Sequence, residues 1–324
     1  MRWSAQRKRV GMKALPRSFG LVLGSGGVLG ASFHAGVLLA LAECWGIDAR
    51  KSTEILGTSA GALTGALVSS GLSPHDLMRR EQTLPLSAAG QKVLKRRGSV
   101  SSSGMPKPTI VGAGWPAAPQ LGLPAMRRPG TVMPGTVLAG LLPRGKSSTE
   151  GIESLVDGVL QGEWPDEPRL RSVAVSLSTG RREVFSATSG AAIGLAVAAS
   201  CAVPGLHAPV SIDGTDYIDG ATHSANNLDA VGSHDVVLVS SPSTGPALGI
   251  GPMAAARVLW GMQLRRESKS LSSTTLVVIV EPDRVVLDAM GSDPMATSRR
   301  ASVAMAAHGL ATALFTNQQN PIDT

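Results

Sequence analysis

Three short strings in this chain have residue types and spacing that could do chemistry. They are Gly57-Thr58-Ser59-Ala60-Gly61, Gly24-Ser25-Gly26-Gly27-Val28-Leu29-Gly30, and Asp219-Gly220-Ala221. Ile55 and Leu56 precede the serine, and Leu63, Ala66 and Leu67 follow it at helical spacing, so the pattern predicts a strand, a tight turn and a helix. A serine at such a corner sits at a helix N-terminus, where free N–H groups and the positive dipole end favour an anion. Gly57 and Gly61 permit a strained turn without a Cβ clash. The chemistry that fits is acyl transfer, in which a hydroxyl attacks a carbonyl and nearby backbone N–H groups bind the oxyanion. Gly26 and Gly27 are the candidate donors. A plain helix-capping serine is the alternative reading of the corner.

A serine nucleophile needs a base. Six histidines are present, and His223, His234 and His308 all follow Asp219, so chain order leaves each open as the base of a Ser-His-Asp esterase. Asp219 is the more distinctive group. It ends a predicted hairpin strand and precedes Gly220, which lets a backbone or substrate come close. A buried carboxylate with a raised pKa can take a serine proton itself. The glycine-dense string does not read as a dinucleotide site: counted from Gly24, the sixth position that should be glycine is Leu29.

The elements that must position these groups follow an alternating pattern. Ser18–Leu23 reads as a first strand, Ala31–Trp45 as a helix, and the serine corner as the second strand–helix unit. Pro74–Thr83 is predicted helical with Pro in its first turn. From Leu84 to Ser148 periodicity disappears and Pro, Gly and Ser dominate, so residues 84–148 read as an irregular insertion that could serve as a lid. Ser147 with Glu150 reads as a capping box for a helix through Leu160. Residues 169–178 and 181–186 form one predicted hairpin, and residues 210–212 and 217–218 a second, turning at Asp213-Gly214. A small-residue helix over 191–202 lies between them. Val236–Val239 and Thr275–Val280 are β-branched runs of the kind found in buried parallel strands, with a helix near 253–264 between them and a closing helix over about 295–314.

Composition sets the class. The chain has 324 residues, 43% apolar and 16% charged, which is globular; aromatic content of 3% offers few rings to stack on bases, and no nucleic-acid partner is expected. The net charge of +7 is spread over basic pairs such as Arg79-Arg80 and Arg265-Arg266, which suit solvated faces or peripheral contact with an anionic membrane. Residues 1–17 are basic and expected to be disordered, leaving 18–324 as one domain. Glycines at 24, 26, 27, 30 and 36 interrupt the apolar stretch after Phe19, so it reads as a buried strand and helix in a cytoplasmic protein. Cys44 and Cys201 read as small core residues. The sequence does not indicate an oligomeric state.

Three separated blocks together resemble the patatin-like phospholipases, a family of serine acyl hydrolases with a Ser-Asp dyad. Leu23–Leu41 resembles the family's oxyanion loop and following helix, Gly57–Gly61 its nucleophile corner, and Asp219–Ala221 its acid motif; Ala199–Val210 resembles the segment before the acid. The likeness runs from about Ser18 to Ser241. It implies a three-layer α/β/α sandwich with a mostly parallel central sheet, Ser59 as nucleophile, Asp219 as general base and Gly26 and Gly27 as oxyanion donors. Gly30, Gly57, Gly61 and Gly220 would support the motifs, and His34 would have a structural role. It also implies a lipid ester substrate, with glycerophospholipids or lysophospholipids first, and no metal or other cofactor. Two positions depart from the family pattern: Ser25 stands where glycine is common, and Leu29 where Arg or Lys is. A non-catalytic lipid-binding protein on the same fold is the reading from another class.

Overall fold

The computed structural model describes residues 18–96, 116–121, 133–247 and 252–318. The basic tail 1–17, and 97–115 and 122–132 of the 84–148 segment, lie outside the described residues. Eight strands form one sheet: β1 (Phe19–Leu23), β2 (Glu54–Thr58), β3 (Arg169–Ser176), β4 (Arg182–Phe185), β5 (Val210–Ile212), β6 (Thr215–Asp219), β7 (Val236–Ser240) and β8 (Leu276–Val280). They run in the order β5-β6-β3-β2-β1-β7-β8, with β4 also pairing with β3. The run β3-β2-β1-β7-β8 is parallel, and β4, β5 and β6 join antiparallel.

Strands β1, β2 and β7 are buried along their whole length because both faces of the sheet are covered there. Leu21, Leu23, Ile55 and Leu238 point into the larger core, made with the helices α1 (Gly27–Trp45) and α2 (Ala60–Ser69) and the helices Glu150–Leu160 and Arg300–Thr316. The alternate residues Val22, Leu56, Val237 and Val239 face the other side, against Leu264 of the helix Pro252–Ser270 and the turn at Leu228. This period-two division produces the expected three-layer α/β/α sandwich. By length and composition α1 could cross a membrane, but here it is a core helix. The Gly36 Cα packs so close to the C-terminal helix that an added Cβ would stand 2.3 Å from the Ala304 carbonyl oxygen.

Both hairpins form, and Asp213 and Gly214 take the two positive φ values that a tight two-residue hairpin turn requires. Several boundaries differ from expectation. The first helix begins at Gly27, inside the glycine-dense string, because Gly26 already ends the extended backbone. Ser147 does not cap the following helix; it bridges to His207, and Thr149 stands at the N-cap. Within the 84–148 segment, helices Ala88–Lys95 and Pro134–Leu141 are regular, the first capped by the Ser87 hydroxyl accepting from the Gly90 N–H at 3.0 Å. The helix Arg284–Met290, capped by Asp283, had no expectation in the sequence reading.

Candidate active site

The site lies beyond the carboxyl ends of the parallel strands, the usual place for ligands in an open α/β sheet. β2 delivers Ser59, which has φ 55° and ψ −119°. That region strains a residue bearing a Cβ and persists only where the surroundings fix it. The flanking glycines explain how. A Cβ on Gly57 would stand 2.4 Å from the Ala62 Cα, and one on Gly61 would stand 1.8 Å from the Leu23 carbonyl oxygen. Helix α2 can thus double back tightly on β2 and lie against β1. The main chain of Ser59 is then pinned from outside: its N–H donates to the Ser200 hydroxyl at 2.8 Å, and its carbonyl accepts the Cys201 thiol at 3.3 Å.

Asp219 arrives from the other side. Ladder register places Thr58 opposite Val173, and Ala174 opposite Asp219, so the serine corner and the acid lie on one row with β3 between them. The small Ala174 leaves room across the row. Past Asp219 the chain turns tightly, with the Ala221 N–H donating to Asp219 Oδ1 at 2.8 Å. Gly220 is required because a Cβ there would stand 2.4 Å from the Val173 carbonyl oxygen. Asn227, held at φ 51°, uses its side-chain amide to tie this turn to β2, donating to Thr58 Oγ1 at 3.1 Å and to the Ser224 carbonyl at 2.7 Å.

The Ser59 hydroxyl lies near enough to the Asp219 carboxyl to lower its pKa, and both side chains line the same cavity. Asp219 is buried, and that burial pushes its pKa up from 3.8 to about 6, against the opposing influence of the Ser59 hydroxyl and the Ala221 N–H. No histidine among the described residues hydrogen-bonds Ser59. His234 sits at the opposite end of β2, 3.3 Å from Glu54, and His308 pairs with Glu43 at 2.7 Å on the surface. His223 follows the acid turn, but burial, then Arg182, lower its pKa to about 4.

The glycine-dense string ends β1 alongside. Gly26 packs against Pro242 from the loop after β7, and Gly27 takes φ 62° under Pro294 and Met295. Gly26 and Gly27 begin α1, where the first N–H groups have no partner inside the helix. Gly30 fits between Ala60 and Pro242, where a Cβ would meet each at 3.4 Å. His34 braces the string from below: its Nε2 donates to the Gly24 carbonyl at 2.8 Å, and its Nδ1 accepts from the Ser240 hydroxyl at 2.7 Å. That assignment is the neutral ring, in keeping with burial that lowers its pKa to about 4. Ser25 and Leu29 are both buried.

Ser59, Asp219, Gly26 and Gly27 line one cavity of about 500 Å³. Its other walls are largely apolar, with Leu138 and Leu142, Val203 and Leu206, and Trp260 and Met290 among them. Asp219 and Arg257 are the charged side chains in the lining. The sequence reading missed Ser200, Asn227 and Arg257, and it had no expectation for the helix Pro134–Leu141. Among the described residues no cluster of His, Cys, Asp and Glu could hold a metal ion.

The family model for patatin-like phospholipases matches residues 21–231, more than half of the chain, so this chain belongs to that family. Membership supports a lipid hydrolase. Similar solved structures include two with different overall lengths. VipD from Legionella pneumophila is 15% identical with a TM-score of 0.44, the match covering 93% of this chain and 67% of that one. The type III effector protein ExoU is 18% identical with a TM-score of 0.39, covering 93% of this chain and 53% of that one. A comparison with curated proteins finds no match.

Proposed function

We propose that the chain is a serine acyl hydrolase that releases fatty acids from phospholipids or lysophospholipids. The observation that carries this reading is the placement of Ser59 beside the buried, pKa-raised Asp219 in the wall of one apolar cavity. Asp219 takes the Ser59 proton as Oγ attacks the ester carbonyl carbon. The N–H groups of Gly26 and Gly27 stabilise the resulting oxyanion. Collapse breaks the bond to the leaving alcohol, which departs with the proton held by Asp219 and leaves an acyl-Ser59. Water then attacks that ester, giving its proton to Asp219; the acid departs and the proton returns to Ser59 Oγ.

A base near pKa 6 suits this sequence, since it is ionised at neutral pH yet basic enough to share a proton in the transition state. The apolar walls suit an acyl chain. At the mouth, Leu138, Leu142 and Met253 are 65%, 40% and 47% exposed, an apolar rim fitted to peripheral contact with a lipid surface. Residues 134–142 act in this reading as part of a lid drawn from the 84–148 segment. Fatty-acid release from mixed phospholipid vesicles by wild type, absent in Ser59→Ala, is the expected result. Equal release by both proteins would reject Ser59 as the nucleophile, and no release from any ester would favour a lipid-binding protein without turnover.

A further inference from the structure

Among the described residues that line the cavity, Arg257 is the one whose charge the proposed reaction leaves unused. It lies on the helix Pro252–Ser270, outside the family match, and is half-buried. Its Nη1 donates to the carbonyls of Pro242 at 2.9 Å and Thr244 at 2.8 Å, and its Nη2 lies 3.8 Å from Met290 Sδ. Among the described residues no carboxylate pairs with it. Carbonyl dipoles do not neutralise a guanidinium in an apolar wall, and partial burial holds its pKa below the usual arginine value. The two carbonyl bonds fix the guanidinium plane and leave Nε and Nη2 without an oxygen partner. Pro242, which Arg257 tethers, is also the residue packed on Gly26, so the cation is one residue removed from the proposed oxyanion donors. Leu29 is apolar, so the glycine-dense string itself brings no cation to the cavity.

We infer that Arg257 is the headgroup-recognition residue of this site, pairing with the phosphate of an anionic glycerophospholipid whose acyl ester is presented to Ser59. The inference rests on the acyl-hydrolase reading for the orientation of the substrate. A guanidinium with two free N–H directions matches two phosphate oxygens, while the carbonyl tethers pre-organise it at little entropic cost.

The test separates this claim from catalysis by using binding as well as turnover. In Ser59→Ala protein, calorimetric titration with dihexanoyl phosphatidylglycerol below its micelle concentration should show affinity about ten- to a hundredfold higher than in the Ser59→Ala, Arg257→Gln double variant. Dihexanoylglycerol, which lacks the phosphate, should bind both alike. In proteins with Ser59 intact, Arg257→Gln should raise KM for the phospholipid more than it changes kcat, and be partly rescued by Arg257→Lys. Equal losses on charged and neutral ligands would overturn the inference and make Arg257 a tether for the loop after β7. Inorganic phosphate binding as tightly as the lipid would overturn it in favour of a free-anion site. Arg257-dependent lipid binding in a wild type that turns over no ester would uphold the recognition site and reject the hydrolase reading instead.

Discussion

The Ser59 N–H donates to the hydroxyl of Ser200, 141 positions along the chain, at 2.8 Å. That bond and the Cys201 thiol on the Ser59 carbonyl hold the strained corner from the start of the segment leading to the acid. The conformation of Ser59 and the approach of Asp219 are therefore coupled through one stretch of chain. Ser200→Ala should leave the Ser59 N–H buried without an acceptor, costing about 1–3 kcal/mol of stability. It should also lower kcat more than it changes KM. Denaturant unfolding and steady-state kinetics on a neutral ester check both.

Asn227 is the counterpart on the acid side. Replacing it with Ala removes the bonds to Thr58 and Ser224 while leaving Ser59 and Asp219 in place. Activity should fall about tenfold or more, because small misplacement of a base is costly, while covalent labelling of Ser59 should persist at a reduced rate. Unchanged ester hydrolysis in this variant would show that the turn needs no such tie.

The raised pKa of Asp219 sets two pH dependences of opposite sense. In its proposed role as base it must be ionised, so kcat/KM should fall as pH drops through about 6. For stability, the folded state binds the proton more tightly than the unfolded chain, whose carboxyl keeps a pKa near 3.8. The favourable term is full below that value and is lost as pH rises through about 6, so at neutral pH the ionised acid destabilises the fold. Asp219→Asn should thus abolish turnover while gaining stability on the order of 1 kcal/mol at pH 8, with the gain shrinking toward pH 4. Thermal unfolding of both proteins across that range reads the sign directly.

Histidine substitutions discriminate the base. His308→Ala and His223→Ala should keep ester hydrolysis within about threefold of wild type, since neither ring meets Ser59. A loss of a hundredfold or more in either would return a Ser-His-Asp arrangement. His34→Ala belongs to another class: it strips the Gly24 carbonyl and the Ser240 hydroxyl of buried partners and should destabilise the fold by a few kcal/mol.

Much of this site was legible because glycine and strand periodicity leave strong marks. Gly57, Gly61 and Gly220 stand where a Cβ would collide with backbone, a constraint that appears in sequence as glycine within two residues of a polar residue just past or at a strand end. Buried parallel strands announce themselves as unbroken apolar runs such as Val236–Val239. Ser200, Asn227 and Arg257 carry no such mark. Each acts through one or two contacts to residues distant in sequence, and a single serine, asparagine or arginine looks the same whether it braces a site or faces water. The helix Pro134–Leu141 was hidden for another reason: Pro134, Gly135 and Gly140 read as loop residues, though Pro suits a first turn and Gly140 lies so close to the Ala118 carbonyl that a Cβ would stand 2.8 Å from its oxygen.

The central claim is that Ser59 carries the acyl group and Asp219 takes its proton. Peptide mapping after exposure to a fluorophosphonate probe tests it most directly. One adduct is expected, on Ser59, formed in wild type, slowed at least a hundredfold in Asp219→Asn, and absent in Ser59→Ala. An adduct on another serine, or labelling of Ser59 at an undiminished rate in Asp219→Asn, would contradict it.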